Sequence, residues 1–315
     1  GIDILIQGDR VYDSAYWQER APQRVLDKIV ANDVPAYLVG GQYDVFQRGE
    51  PLLYSGLQNA SLGRSVWDPM TKGQVANPKW QLQTGPFDHS TAGQNLDEIE
   101  LRWFDQWLKG EDTGILDTSR PMHIHETTGD VYDLADYPSE KANPARYYLQ
   151  PGGTLAPTTP TVTTGASTVV WKGVTLACAR SLNQWGAGLF GAVYEACKKL
   201  PLLSAPQPGD TAYDTGPMTK DLRLAGPIGL RLSAISNRPE TMFVVTLQDV
   251  GPDGSITDLT AGGQLGSARS IDTSKSWSDG QGGYVLPYHP QTKATASPVP
   301  TGKVTTYDIE IRPAF

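Results

Sequence analysis

The stretch "PAYLVGGQYDVFQRG" (Pro35–Gly49) decides the fold class. Tyr37–Val39 is a short apolar run bounded by Pro35 and closed by Gly40 and Gly41, the pattern of a strand buried in a parallel sheet. Asp44 follows at once, set between Tyr43 and Val45–Phe46. A carboxylate among bulky apolar neighbours is costly unless something pairs with it. The stretch therefore predicts a strand, a glycine turn and a paired acid.

Outward from it, residues 1–127 alternate between strand-like and helix-like segments. "RGEPLLYSGLQNAS" (48–61) carries Leu52, Leu53 and Leu57 at helical spacing, and "PKWQLQTGPF" (78–87) reads as a second strand ending in Gly-Pro. "LDEIELRWFDQWLKGE" (96–111) predicts a helix with Leu96, Ile99, Trp103, Trp107 and Leu108 on one apolar face and Gly110 at its end. "SRPMHIHET" (119–127) reads as a further strand. Strand and helix in alternation is the signature of an α/β layer built on a parallel sheet.

The character changes over 128–315. "ARYYLQ", "STVVW", "TAYDTG", "DLRLAGPIGLRLSAIS", "TMFVVTLQDV" and "VTTYDIEIRP" are strand-like runs separated by Gly, Pro and Asp, which predicts an antiparallel sandwich. "DVGPDGSITDL" (249–259) reads as a hairpin turning on Pro-Asp-Gly; it lacks the acidic spacing of a calcium loop. Residues 150–167 form a low-complexity loop, and 165–205 interrupts the strands as an insertion containing a Gly-weakened helical pattern.

Composition sets outer bounds. A chain of 315 residues is long enough for two domains and a large core. A net charge of −8 argues against nucleic acid as a partner. No apolar run approaches the ~20 residues of a membrane span. Cys178 and Cys197 bracket a Gly-rich, low-charge segment. Two buried thiols and a disulfide both suit that placement. The Thr-, Gly-, Pro- and Ser-rich, Lys-poor composition after residue 150 leans towards a secreted protein and makes the disulfide the expectation. The opening "GIDILIQGD" reads as the interior of something longer.

Two residues carry the chemistry. In α/β-hydrolases the triad acid sits on a loop just beyond a buried strand, and the histidine on a loop beyond the next strand. Asp44 follows the first strand here, and His89, in "TGPFDHST", follows the next, 45 residues on. Asp44 could then hold the His89 tautomer whose far nitrogen acts as a base. Asp88 is a rival acid, more simply a loop residue beside His89. His123 and His125, two apart on a strand, suit a metal pair only in principle, because no third ligand stands nearby; no metal or cofactor is expected. His289 reads as a loop residue.

"YWQERAP" (16–22), "VPAYLVGGQYDVFQRG" (34–49), "TGPFDHS" (84–90) and "RWFDQWLKGEDTGI" (102–115) occur in an order that resembles the cocaine-esterase-like (CocE/NonD) and X-Pro dipeptidyl-peptidase hydrolases of the serine peptidase S15 type. "RYYLQPGGTL" (146–155), "DLRLAGPIGLRLSAIS" (221–236), "FVVTLQDVGPDGSITDLTAG" (243–262) and "YDIEIRP" (307–313) are similar to that family's C-terminal domain. The resemblance implies the C-terminal part of an α/β-hydrolase layer with the end of its cap (1–127), then a jelly-roll, galactose-binding-like β-sandwich (128–315). It implies Asp44 as triad acid and His89 as triad base. Tyr16, Trp17, Tyr43 and Phe87 lie in or beside the matched motifs and could line an acyl or proline pocket, with core packing as the plainer role.

The family's G-x-S-x-G nucleophile is absent: "GRSVW" and "GASTV" lack the last Gly and follow Asp44. The chain is thus expected to supply the acid, the base and the sandwich, while a missing N-terminal portion supplies the serine and oxyanion hole. The implied substrate is a small acyl ester or an X-Pro peptide, and a homo-oligomer stays open. A second class of function remains: a non-catalytic β-sandwich binding or assembly module joined to a remnant α/β layer.

Overall fold

The computed structural model describes residues 8–44, 46–89, 93–162, 165–170, 206 and 208–315. Its first sheet has the order β1 (Ala36–Gly41), β2 (Trp80–Gly85), β3 (Met122–His125), β4 (Val131–Leu134). The first three strands run parallel, and β4 returns antiparallel along β3. Helix α1 (Leu26–Ala31) precedes β1, α2 (Gly49–Ala60) follows it, and α3 (Leu96–Phe104) lies between β2 and β3.

Strand β2 is buried along its whole length although Gln81, Gln83 and Thr84 are polar. Each glutamine meets backbone. Gln81 Nε2 donates to the Ile115 carbonyl at 2.8 Å, and Gln83 exchanges two hydrogen bonds with the backbone of Gln94. Burying an amide without such partners costs roughly 1–3 kcal/mol. These bonds allow the central strand to carry polar residues.

One apolar cluster extends beyond this layer. Tyr54 of α2 and Leu82, Met122, Ile124 and Leu134 of the sheet pack with Tyr137, and also with Trp277 and Leu286 of a short hairpin, β10 (Trp277–Ser278) and β11 (Tyr284–Leu286). Burying each large side chain is worth roughly 1.5–3 kcal/mol. The Trp277 indole N–H donates to the Trp67 carbonyl at 2.6 Å, and Arg48 reaches Glu310 at 2.7 Å.

The later part of the chain is β-rich. A hairpin of β5 (Tyr148–Gln150) and β6 (Thr154–Ala156) precedes a sheet of order β7-β12-β9-β8, formed by β7 (Gly226–Ile235), β8 (Met242–Val250), β9 (Ile256–Leu265) and β12 (Val304–Ala314). All its pairings are antiparallel. Alternation places Tyr307 and Ile309 inside with Leu230, Leu232, Phe243 and Val245. Gly262 lets β9 close on β12, since a Cβ there would lie 2.0 Å from the Glu310 carbonyl oxygen. The β8–β9 turn falls at Gly251–Ser255, with Gly254 at φ +80°.

Two expectations change. The runs 167–170 and 211–216 are not strands; 211–216 contributes only a bridge from Asp214 to Thr154. Val169 and Val170 are exposed, so β propensity there has no ladder or core to act through. The apolar face expected over 96–111 ends earlier than expected: Trp107 still packs on Trp103 with ring centres 5.8 Å apart, but α3 passes into a π-helical turn at Asp105–Lys109 and Leu108 lies off the face. Trp103 is buried and Leu108 is exposed. The jelly-roll needs a second sheet facing β7-β12-β9-β8, and the described residues define only a β-rich domain. Most of the 165–205 insertion, with Cys178 and Cys197, lies outside the described residues. No helix among the described residues is long and apolar enough to cross a membrane.

Candidate active site

The parallel register of β1 and β2 pairs Gly41 with Gly85, so the two following loops leave the same edge of the sheet. They stay stitched together. Gln42 N–H donates to the Gly85 carbonyl at 2.7 Å and Tyr43 N–H to the Phe87 carbonyl at 3.1 Å. Gly41 permits this approach, because a Cβ there would lie 2.0 Å from the Phe87 oxygen. The chain then turns, with Asp44 N–H donating to the Gly41 carbonyl at 3.1 Å.

That geometry brings Asp44 and His89 together. Asp44 Oδ2 lies 3.0 Å from His89 Nδ1, and Oδ1 accepts from the Phe46 N–H at 2.9 Å. The carboxylate is buried, its side chain 8% exposed, while the His89 side chain is 46% exposed and packs on the Phe46 ring. With Nδ1 donating to Asp44, Nε2 carries the lone pair on the open side. Such an imidazole can accept a proton from a nucleophile presented to it.

A second acid adjoins the pair. Glu50, in the first turn of α2, packs under Gly40, where an added Cβ would meet its Cγ at 2.4 Å. Burial first, and the charge of Asp44 in addition, push its carboxyl up to about 7. Among the described residues its buried Oε2 has no hydrogen-bond partner, and neither have the two amide atoms of Gln47 and the Gln42 Nε2. Arg312 of β12 feels the field of Asp44 as well; burial, foremost, draws its pKa below the usual guanidinium range. Sequence reasoning missed Glu50. "RGEP" reads as a helix start, and no local pattern reveals that Gly40 leaves room for its carboxyl.

The other singled-out residues divide into groups. Phe87 is buried and meets the His125 ring at a tilt, with centres 5.4 Å apart, and Tyr43 belongs to the loop joining β1 to Asp44. Tyr16 and Trp17 form an edge-to-face pair at 5.1 Å, with the Arg10 and Arg20 guanidinium groups over the Tyr16 ring. His123 Nδ1 meets Asp133 on β4 at 2.7 Å and its Nε2 meets Gln81 at 3.2 Å, while burial and the neighbouring His123 lower the pKa of His125. Both ring nitrogens of His289 are taken by the Ser270 and Asp308 carbonyls. Among the described residues no group of three or more His, Cys, Asp or Glu side chains could hold a metal ion.

The contact between Asp44 and His89 thus sits at one edge of a sheet whose first three strands run parallel. A family model described as the X-Pro dipeptidyl-peptidase C-terminal non-catalytic domain matches residues 116–315, and the chain belongs to that family. A protein with a provisional serine-esterase assignment, from Mycobacterium bovis, is 27% identical over 254 residues; the match covers 76% of this chain and 38% of that relative. A Mycobacterium tuberculosis counterpart matches to the same extent. This chain therefore spans well under half the length of these relatives.

Among solved structures, an aminopeptidase from a marine sediment Thaumarchaeota archaeon superposes with a TM-score of 0.67 at 20% identity, covering 96% of this chain and 48% of that one. A CocE/NonD family hydrolase from Staphylococcus aureus gives 0.60 at 14%, covering 96% and 47%. An α-amino acid ester hydrolase gives 0.61 at 17%, covering 96% and 49%. At such identities the likeness is one of fold.

Proposed function

We propose that this chain is the acid- and base-bearing, β-rich portion of a serine hydrolase that cleaves acyl esters or peptide bonds after proline. One observation carries the reading: the 3.0 Å contact of buried Asp44 with half-exposed His89 at the shared edge of two adjacent parallel strands. Esterase, aminopeptidase and amino acid ester hydrolase names among the similar proteins support it. In this reading Asp44 orients His89, His89 takes the proton from a serine elsewhere in the parent enzyme, and the β-rich part is the jelly-roll that buttresses the catalytic layer.

The chain has no G-x-S-x-G, so by itself it should neither hydrolyse p-nitrophenyl esters or X-Pro p-nitroanilides nor react with a fluorophosphonate probe. Supplying the serine-bearing portion of the parent should restore both. His89→Ala should then abolish turnover, and Asp44→Asn should lower kcat by about 10⁴ by favouring the wrong tautomer. Full activity in the reconstituted His89→Ala protein would overturn the assignment.

A second reading has one observation in its favour. The matched family model describes a non-catalytic domain, and its span of 116–315 excludes both Asp44 and His89. The chain would then be a β-sandwich binding or assembly module with a remnant α/β layer. Failure of every reconstituted pairing to hydrolyse either substrate class, with the chain folded and bound, would favour it.

A further inference from the structure

Away from Asp44 and His89, a cavity of about 190 Å³ opens where α2 and the Trp67 loop meet the β10–β11 hairpin. Its apolar wall is Leu52, Val66, Trp67, Trp277 and Leu286. Trp67 and Tyr288 stand edge-to-face with ring centres 5.4 Å apart, giving the wall flat aromatic faces. An engineered apolar cavity of ~150 Å³ in another protein holds a benzene molecule. The volume here therefore suits one six-membered ring with a small substituent.

The polar part of the wall consists mainly of donors. Arg24, Arg48 and Lys275 line it, against Asp13 as the one acid. Arg48 is taken by Glu310 at 2.7 Å. Lys275 stands over the Trp67 and Tyr288 rings at 4.7 and 5.0 Å and is only loosely shared with Asp272 at 3.5 Å. The Arg24 guanidinium, the Tyr288 hydroxyl and the Trp67 indole N–H have no hydrogen-bond partner among the described residues. Tyr288 itself lines the cavity, and the charges of Asp13, Arg48, Arg24 and Asp272 all act on its phenol.

We propose that this cavity is a binding site for a small aromatic carboxylate, its ring against Trp67 and Trp277 and its carboxylate on Arg24 and the Tyr288 hydroxyl. A carboxylate adds acceptors to a wall in which Asp13 is the one acid among three cations, and a guanidinium can receive it in a two-pronged hydrogen bond. An apolar cavity with a few convergent polar groups is the general form of a small-molecule site. This site is independent of the Asp44–His89 pair and does not depend on any hydrolase activity.

The test is calorimetric titration of the chain with benzoate, with the tryptophan indole NMR signals locating the ligand. Saturable one-to-one binding is expected, shifting the Trp67 and Trp277 indoles. Arg24→Gln should weaken it at least tenfold, and since Arg24 is exposed this variant should fold normally. Asp13→Asn should tighten it by removing the like charge, and Leu52→Trp should fill the cavity and abolish it. Three outcomes would overturn the proposal: no saturable binding at millimolar benzoate, benzamide binding as tightly as benzoate, or unchanged affinity in Arg24→Gln. Zwitterionic phenylalanine binding more tightly than benzoate would also overturn it, because Asp13 would then be the ligand's main partner.

Discussion

Glu50 shows how one residue's surroundings set a pH dependence. Its carboxyl ionises near its ordinary value in the unfolded chain and near about 7 in the folded one. The folded state therefore holds its proton more tightly across that interval, and stability falls as pH rises from the unfolded value through about 7. Partial exposure discounts the loss to something on the order of 2 kcal/mol. Glu50→Gln, which stays neutral, should match the wild type in thermal melts at pH 5 and exceed it at pH 8. Equal stability at both pH values would mean that the buried carboxyl is solvated after all. Because Asp44 contributes to the shift, the ionised Glu50 also adds negative charge beside the Asp44–His89 contact.

At the scale of elements, the close approach of β1 to the loop after β2 is the feature to probe. Gly41→Ala places a methyl against the Phe87 carbonyl, which is backbone and cannot swing away. The variant should lose about 1–3 kcal/mol in denaturant unfolding and disturb the His89 ring signals in NMR spectra, since that loop carries His89. Unperturbed His89 signals in a stable variant would show that the two loops are not coupled through this contact. Much of this level was legible in the sequence. Pro35 and the double glycine bounded β1, Leu52, Leu53 and Leu57 marked α2, and Pro-Asp-Gly marked the β8–β9 turn. The contact between Asp44 and His89 was legible too, because each follows a strand that ends in Gly. The π-helical turn at Asp105–Lys109 was not, since no local sequence pattern separates such a turn from the α-helix it continues. Glu50 escaped for the same kind of reason: its value depends on contacts with Gly40 and Asp44 across a turn.

At the scale of the whole molecule, the parallel sheet and the β10–β11 hairpin share one core cluster. Trp277 is its far anchor, 4% exposed, packed on Tyr137 with ring centres 5.8 Å apart and hydrogen-bonded to the Trp67 carbonyl. Trp277→Ala should cost about 3–5 kcal/mol and divide the unfolding of the layers: circular dichroism of the helices and fluorescence of the remaining tryptophans should cease to coincide on heating. Coincident transitions with an unchanged midpoint would show that the two parts are stabilised separately.

The pairing of Arg48 with Glu310 spans 262 residues of chain, and that of Trp277 with Trp67 spans 210. On a ribosome adding ~5–20 residues per second, the residues around Asp44 emerge on the order of ten seconds or more before β12 can cover them. During that wait Arg48 has no Glu310, and until Trp277 emerges its aromatic seat is open and the sheet face beneath Tyr54 and Leu82 is exposed to whatever else the cell contains. A nascent chain of this kind is a natural client for chaperones that hold apolar surface. A ribosome stalled before β12 should therefore release a sticky, protease-sensitive product even though every element of the parallel sheet has already been made.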